Sequence, residues 1–251
     1  MVAISLFSRL GSEASGEGGR TNGVALYTGG KDSHFALIEA LKLGIIVDLL
    51  VIVVPARSDS WMFHSINVEF SKLHADLIGV DKVVIRSGGV KETEVSEVLS
   101  ELKKLNLRPR HKYLISGAVA SKYQKERVDL IARELGLEHI APLWGRDQKT
   151  LLLEEVKYLS FIVTAIQAYG LNMKWLGAVI NEKNVKEFLS DLEEHSVSPV
   201  GEGGEFETYV ISSKLFKKEG IYVESAELVK YPLHGLGYYV IKSARNNRPV
   251  L

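Results

Sequence analysis

Short apolar runs alternate along the chain with longer segments whose apolar positions recur every three or four residues. The runs are VALYT (24–28), VDLLVIVV (47–54), KVVIR (82–86) and KYLISGA (112–118). Apolar runs of this length predict strands buried on both faces. Between them lie HFALIEALKLG (34–44), SINVEFSKLHADLIG (65–79) and EVSEVLSELKKLN (94–106), and SKYQKERVDLIARELG (121–136) follows. Each carries one apolar stripe at helical spacing, and the first two end at a glycine. Strand and helix in strict alternation predict an α/β fold, a doubly wound parallel sheet.

The pattern changes after APLWGRDQ (141–148). Helical spacing persists in TLLLEEVKYL (150–159) and NVKEFLSDLEEH (184–195). A Gly-rich turn, SPVGEGGEFE (198–207), then leads into strand-like TYVISS (208–213), IYVESAELVKY (221–231) and GYYVIKSA (237–244). The expected division is a flexible extension at 1–23, a strand–helix domain at 24–145 and a smaller α+β region at 146–251. The extension is inferred from GSEASGEGGRTNG (11–23), which is rich in Gly, Ser and charge.

Composition narrows the chemistry. Lys plus Arg and Asp plus Glu both number 31, so the formal charge is zero and no broad basic surface for nucleic acid is expected. There is no cysteine, which removes disulfides, thiolate metal sites and cysteine nucleophiles together. No apolar run approaches the roughly 20 residues of a membrane helix, so a soluble cytoplasmic protein is expected.

The chemistry begins at TGGKDS (28–33), where the first predicted strand meets the first predicted helix. A strand ending in Gly29 and Gly30 and feeding directly into a helix leaves backbone N–H groups pointing outward. With the positive end of the helix dipole they make an anion site. Lys31 adds a mobile full charge, Thr28 and Ser33 add hydroxyls, and Asp32 is suited to cap the helix or hold a cation. The dipole alone contributes only about 0.3–1 kcal/mol, so most of the binding falls to Lys31 and the N–H groups. The spacing is neither Walker A nor G-x-G-x-x-G.

TGGKDS resembles the S-G-G-K-D-S loop of the ATP pyrophosphatase (PP-loop) enzymes, with Thr28 keeping the hydroxyl of the first serine. Four further stretches, DSWMFHSINVE (59–69), GAVASKYQKERV (117–128), APLWGRDQ (141–148) and GEGGEFETYV (201–210), make the chain similar to the archaeal form of diphthine–ammonia ligase. The resemblance runs from about Val24 to about Ile211 in one register. It implies ATP-dependent amidation of diphthine on translation elongation factor 2 with ammonium. The carboxylate is activated as an acyl-adenylate, and AMP and pyrophosphate are released. ATP and Mg²⁺ are the implied cofactors, with Asp32 the metal-holding carboxylate.

The resemblance and the strand ends together give the candidate residues. Thr28, Gly29, Gly30, Lys31, Asp32 and Ser33 would hold the ATP phosphates. Ser116, Gly117 and Ala118 end a strand and would lie beside the nucleotide. Lys122 and Arg127 are the candidates for phosphate contact on the next helix. Trp61, His64 and Trp144 would help bind the substrate, whose trimethylammonium group suits an aromatic face. Glu202, Glu205 and Glu207 crowd a loop without a basic residue, which suits a cation or a base. Glu205 is the expected base, beside Lys31 and Asp32 as catalytic residues. Arg146 and Asp147 read as a structural ion pair. A homodimer is left open. The competing readings are a PP-loop enzyme acting on tRNA and a non-catalytic module that senses ATP or AMP.

Overall fold

The computed structural model describes residues 21–56, 66–88, 93–107, 109–217, 220–231 and 234–246. Strands β1 (Thr21–Leu26), β2 (Ile45–Pro55), β3 (Asp81–Ser87), β4 (Tyr113–Ile115) and β5 (Glu138–Ile140) form one sheet in the order β3-β2-β1-β4-β5. Every pairing in it is parallel. Helices α1 (Lys31–Lys42), α2 (Lys72–Ile78), α3 (Glu94–Lys104) and α4 (Lys122–Leu135) connect the strands. This is the expected α/β architecture.

Both faces of the sheet are covered, which explains the unbroken apolar runs. On one face Val24, Leu26, Val51 and Val53 meet Val98 and Leu102 of α3 and Val128 and Ile131 of α4. On the other, Ala25, Leu50 and Ile52 belong to a larger core with Phe35 and Ile38 of α1, and that core continues into the second half of the chain.

The second sheet is antiparallel. It contains β6 (Leu159–Ile166), β7 (Val179–Ile180), β8 (Phe206–Ser213), β9 (Ile221–Tyr231) and β10 (Leu236–Asn246). Its order is β7-β6-β10-β9, with β8 also paired to β6. Helices α5 (Gln148–Glu155) and α6 (Val185–Glu194) accompany it. Phe161 and Val163 of β6, Val210 of β8 and Phe188 of α6 are fully buried. The helical stripe of TLLLEEVKYL ends sooner than its spacing implies. After Glu155 the chain turns and LSFIVTAI becomes the central strand β6. An apolar run buried on all sides carries no periodicity to distinguish it from the helix before it.

Two local features differ from expectation near residue 146. Asp147 caps α5, its carboxylate accepting from the Thr150 N–H at 2.9 Å. Arg146 pairs with Glu39 of α1 at 3.0 Å and with Glu154 of α5. The ion pair at this join therefore ties α1 to α5 and does not include Asp147.

Candidate active site

In this parallel sheet the strand order reverses between β1 and β4, so a crevice opens at their carboxyl ends. The TGGKDS loop leaves β1 there, and Ser116 and Gly117 leave β4. Gly29 sits at φ +82°, a conformation that favours glycine, and a Cβ on it would come within 2.2 Å of Ser71 Oγ. Ser71 in turn donates to the Thr28 carbonyl at 2.8 Å. Gly30 occupies the N-cap of α1 in an extended conformation, and Asp32 lies in the first turn. Thr28 and Ser33 hydroxyls are 3.1 Å apart. Gly117 packs directly on the start of α1: a Cβ there would approach Ser33 N at 2.6 Å and Ser33 Cα at 2.7 Å.

The second sheet completes the loop. Thr208 Oγ1 accepts from the Lys31 backbone N–H at 3.1 Å, and Val210 N–H donates to the Gly29 carbonyl at 2.9 Å. Strand β8 therefore braces the loop.

A cavity of about 590 Å³ lies over the loop. Thr28, Gly30, Asp32 and Ser33 form its floor, and Ser116, Gly117 and Ala118 one wall. Glu202, Glu207 and Thr208 line the side contributed by the second sheet, and Leu26, Val51, Val53 and Val128 make an apolar end. Volume and lining suit a small polar ligand with an apolar part.

Lys31 does not project into the cavity as a mobile charge. It is fully buried, 2.6 Å from Asp32 Oδ1 and 3.3 Å from Glu155 Oε2 of α5. Burial opposes its charge, but the two acidic partners outweigh that and hold its pKa above the usual lysine value. Burial drives the Glu155 pKa well above the usual carboxyl range, with Lys31 opposing and Asp32 reinforcing the shift. We take Glu155 as the protonated member of the cluster, which leaves Lys31 charged against Asp32. Asp32 remains about a quarter exposed toward the cavity.

The three loop acids separate by environment. Glu202 lines the cavity and its Oε2 accepts from the Ala120 N–H at 3.1 Å. Partial burial raises its pKa, the Ala120 bond and Lys31 oppose the rise, and Asp32 and Glu205 add to it. Glu205, the expected base, instead braces the loop: its Oε2 accepts from the Ser198 N–H at 3.0 Å and its carbonyl accepts from Gln167 N–H. Glu207 lies on the cavity wall.

Two protein-family models cover almost all of this architecture. Residues 21–139 match the diphthamide synthase N-terminal domain and residues 147–246 the diphthamide synthase C-terminal domain. The diphthine–ammonia ligase of Danio rerio is 30% identical over 82% of this chain and 88% of its own length. The chain belongs to the diphthine–ammonia ligase family. The Bos taurus ligase is 29% identical over 82% of this chain and 84% of its own length. The Schizosaccharomyces pombe ligase is 30% identical over 90% of this chain, which spans 40% of that longer protein. A solved structure from Methanocaldococcus jannaschii DSM, described as a predicted subunit of tRNA methyltransferase, overlays with a TM-score of 0.40 at 18% identity, covering 79% of this chain and 99% of that one.

Several expected site residues of this ligase-family chain sit away from the cavity. Lys122 is exposed, and Arg127 folds back on its own helix, its guanidinium 3.2 Å from the Tyr123 ring centroid. Their neighbours Ser121, Tyr123 and Gln124 line the cavity in their place. Trp144 is half-buried with Lys125 Nζ 5.7 Å from its ring centroid. Trp61 and His64 lie outside the described residues. Thr208 and Gln167 were not foreseen as lining residues. Thr208 stands inside GEGGEFETYV, where three acids mask its hydroxyl as a signal, and Gln167 follows a strand without periodicity. Among the described residues no cluster of three His, Asp or Glu side chains forms a metal site, and no helix is long and apolar enough to cross a membrane.

Proposed function

We propose that the chain amidates the diphthine carboxylate of translation elongation factor 2 with ammonia at the expense of ATP. The observation that carries this reading is a single cavity bounded by the braced TGGKDS loop on one side and by Glu202 on the other. The Danio rerio, Bos taurus and Schizosaccharomyces pombe relatives named above are diphthine–ammonia ligases, which supports the same substrate.

The residues divide the chemistry. With the Lys31 N–H held by Thr208, the Asp32 and Ser33 N–H groups at the start of α1 and the Thr28 and Ser33 hydroxyls would bind the polyphosphate. The diphthine carboxylate oxygen attacks the α-phosphorus, the bond to the β-phosphate oxygen breaks, and pyrophosphate leaves. An acyl-adenylate is then the electrophile that a bare carboxylate is not. Charge accumulates on the departing pyrophosphate, and preoriented donors stabilise it most where water is excluded. Asp32, the carboxylate on the cavity floor, fits a Mg²⁺ ion that would take its other ligands from phosphate and water. Such an ion would neutralise phosphate charge. Ammonia next attacks the acyl carbon and AMP departs. Glu202 takes the proton released by the attacking nitrogen, its raised pKa making it a better base than an ordinary carboxylate.

The test is to combine the purified chain with ATP, Mg²⁺, ammonium and the diphthine form of the elongation factor. Expected results are one pyrophosphate per modified factor and a mass loss of about one unit, the arithmetic of OH replaced by NH₂. Pyrophosphate release without the mass change would overturn the amidation, and nucleotide bound without any pyrophosphate would reduce the chain to a sensing module.

A further inference from the structure

Behind the β4 wall of the cavity lies a chain of hydrogen bonds that the proposed reaction does not use. Ser116 Oγ is 2.8 Å from His139 Nε2, and His139 Nδ1 is 2.6 Å from Asp129 Oδ1. The second Asp129 oxygen accepts from Lys125 Nζ at 2.8 Å. Ser116 directly follows β4, His139 sits on β5 and Asp129 on α4, so three separate elements hold the series in register.

The proton positions follow from the end of the chain. Desolvation works against the Asp129 charge, but Lys125 and His139 hold its pKa below the ordinary carboxylate value. An ionised Asp129 accepts, so His139 Nδ1 carries the proton. Burial lowers the His139 pKa, with Asp129 opposing, so Nε2 carries none at neutral pH and accepts. The Ser116 hydroxyl proton must then point at His139. Of its two acceptor positions, one meets the Ala118 N–H at a long 3.5 Å and the other is left for the cavity that Ser116 lines.

We propose that Ser116, with its proton committed to the His139–Asp129 pair, is a fixed hydrogen-bond acceptor in the cavity and selects ligands that present an N–H or O–H there. This rests on the nucleotide reading above. An ionised phosphate oxygen has no proton to give, so the polyphosphate belongs at the α1 terminus and the nucleoside end meets Ser116. Leu26, Val51, Val53 and Val128 line the same cavity and suit a nucleobase. The matching donor is either the exocyclic amine of adenine or a ribose hydroxyl.

Binding of ATP, purine riboside triphosphate, 2′-deoxy-ATP and 3′-deoxy-ATP to the full chain, measured by calorimetry, separates those sources. Wild type should bind one analogue about five- to tenfold more weakly than ATP, the scale of one lost hydrogen bond. Ser116→Ala should bring that ratio to about one. Asp129→Asn tests the relay without touching the cavity. Lys125 would hold the asparagine carbonyl and turn its NH₂ toward His139 Nδ1. The imidazole proton would move to Nε2 and Ser116 would become a donor, so the ratio should again collapse. A wild-type ratio near one for all three analogues, or an unchanged ratio in Asp129→Asn, overturns the inference while the nucleotide reading stands. A wild type that binds no ATP overturns both.

Discussion

Lys31 and Glu155 show how far a single residue departs from its appearance in sequence. A lysine after two glycines reads as a flexible hand for phosphate, yet here it is enclosed by two acids. Lys31→Met should lower the melting temperature and slow pyrophosphate release, because it strips Asp32, on the cavity floor, of the cation that offsets its charge. Glu155→Gln replaces a group already protonated, so its melting temperature should stay within a few degrees of wild type. A large loss in Glu155→Gln would show the acid to be ionised. Glu202→Gln should cut ammonia-dependent turnover by about 10²–10⁴, the usual range for a positioned base, while ATP binding persists. The sign with pH follows from the raised pKa. Glu202 works only when ionised, so turnover should rise as pH climbs through a midpoint above the ordinary glutamate range, and Glu202→Gln should remove that limb. Glu205→Gln should chiefly loosen the loop it braces.

Elements, more than residues, were legible beforehand. The α/β alternation, the loop at the first strand–helix turn and Ser116–Ala118 at a strand end all followed from apolar patterning and from where strands in such sheets place ligands. Strand β6 was hidden because burial on every side erases alternation. The aim of Lys122 and Arg127 was hidden because helix phase decides which of several neighbouring polar residues faces a cavity. The contact of β4 with α1 gives a sharp element-scale expectation. Gly117→Ala would push a methyl into the backbone of Ser33, which is far less able to yield than a side-chain tip. A destabilisation of about 1–3 kcal/mol, typical of overpacking, should accompany weakened nucleotide binding. Urea unfolding and calorimetry on that variant check both.

At the scale of the molecule, a buried group of rings sits beneath the loop where the sheets meet. Tyr27 OH lies 2.7 Å from His34 Nδ1, and His34 Nε2 lies 2.7 Å from Ser213 Oγ of β8. His74 donates from Nε2 to the Val210 carbonyl at 2.6 Å. Burial lowers the His74 pKa to about 4, with the Val210 bond opposing. Burial, reinforced by His74, takes His34 well below its usual range. Both imidazoles are neutral when folded and readily protonated when unfolded, so acid favours the unfolded chain. Stability should be fully present above about pH 6.5, the unfolded histidine value, and decline toward pH 4. Urea midpoints between pH 7.5 and 4.5 should show that slope, and His74→Gln, which retains an N–H for Val210 and does not titrate, should make it shallower while leaving the share due to His34. An unaltered slope in His74→Gln would assign the acid sensitivity elsewhere.

The grip of β8 on the loop has a practical consequence for anyone dissecting the gene. The boundary between the two family-model matches looks like an invitation to express the halves separately. Thr208 and Val210 supply two of the bonds that shape residues 29–31, so a polypeptide stopping at 145 should carry TGGKDS intact and still fail to retain ATP on a filter. Supplying residues 146–251 in trans should restore retention. A truncated half that captured ATP unaided would make the far strand a spectator.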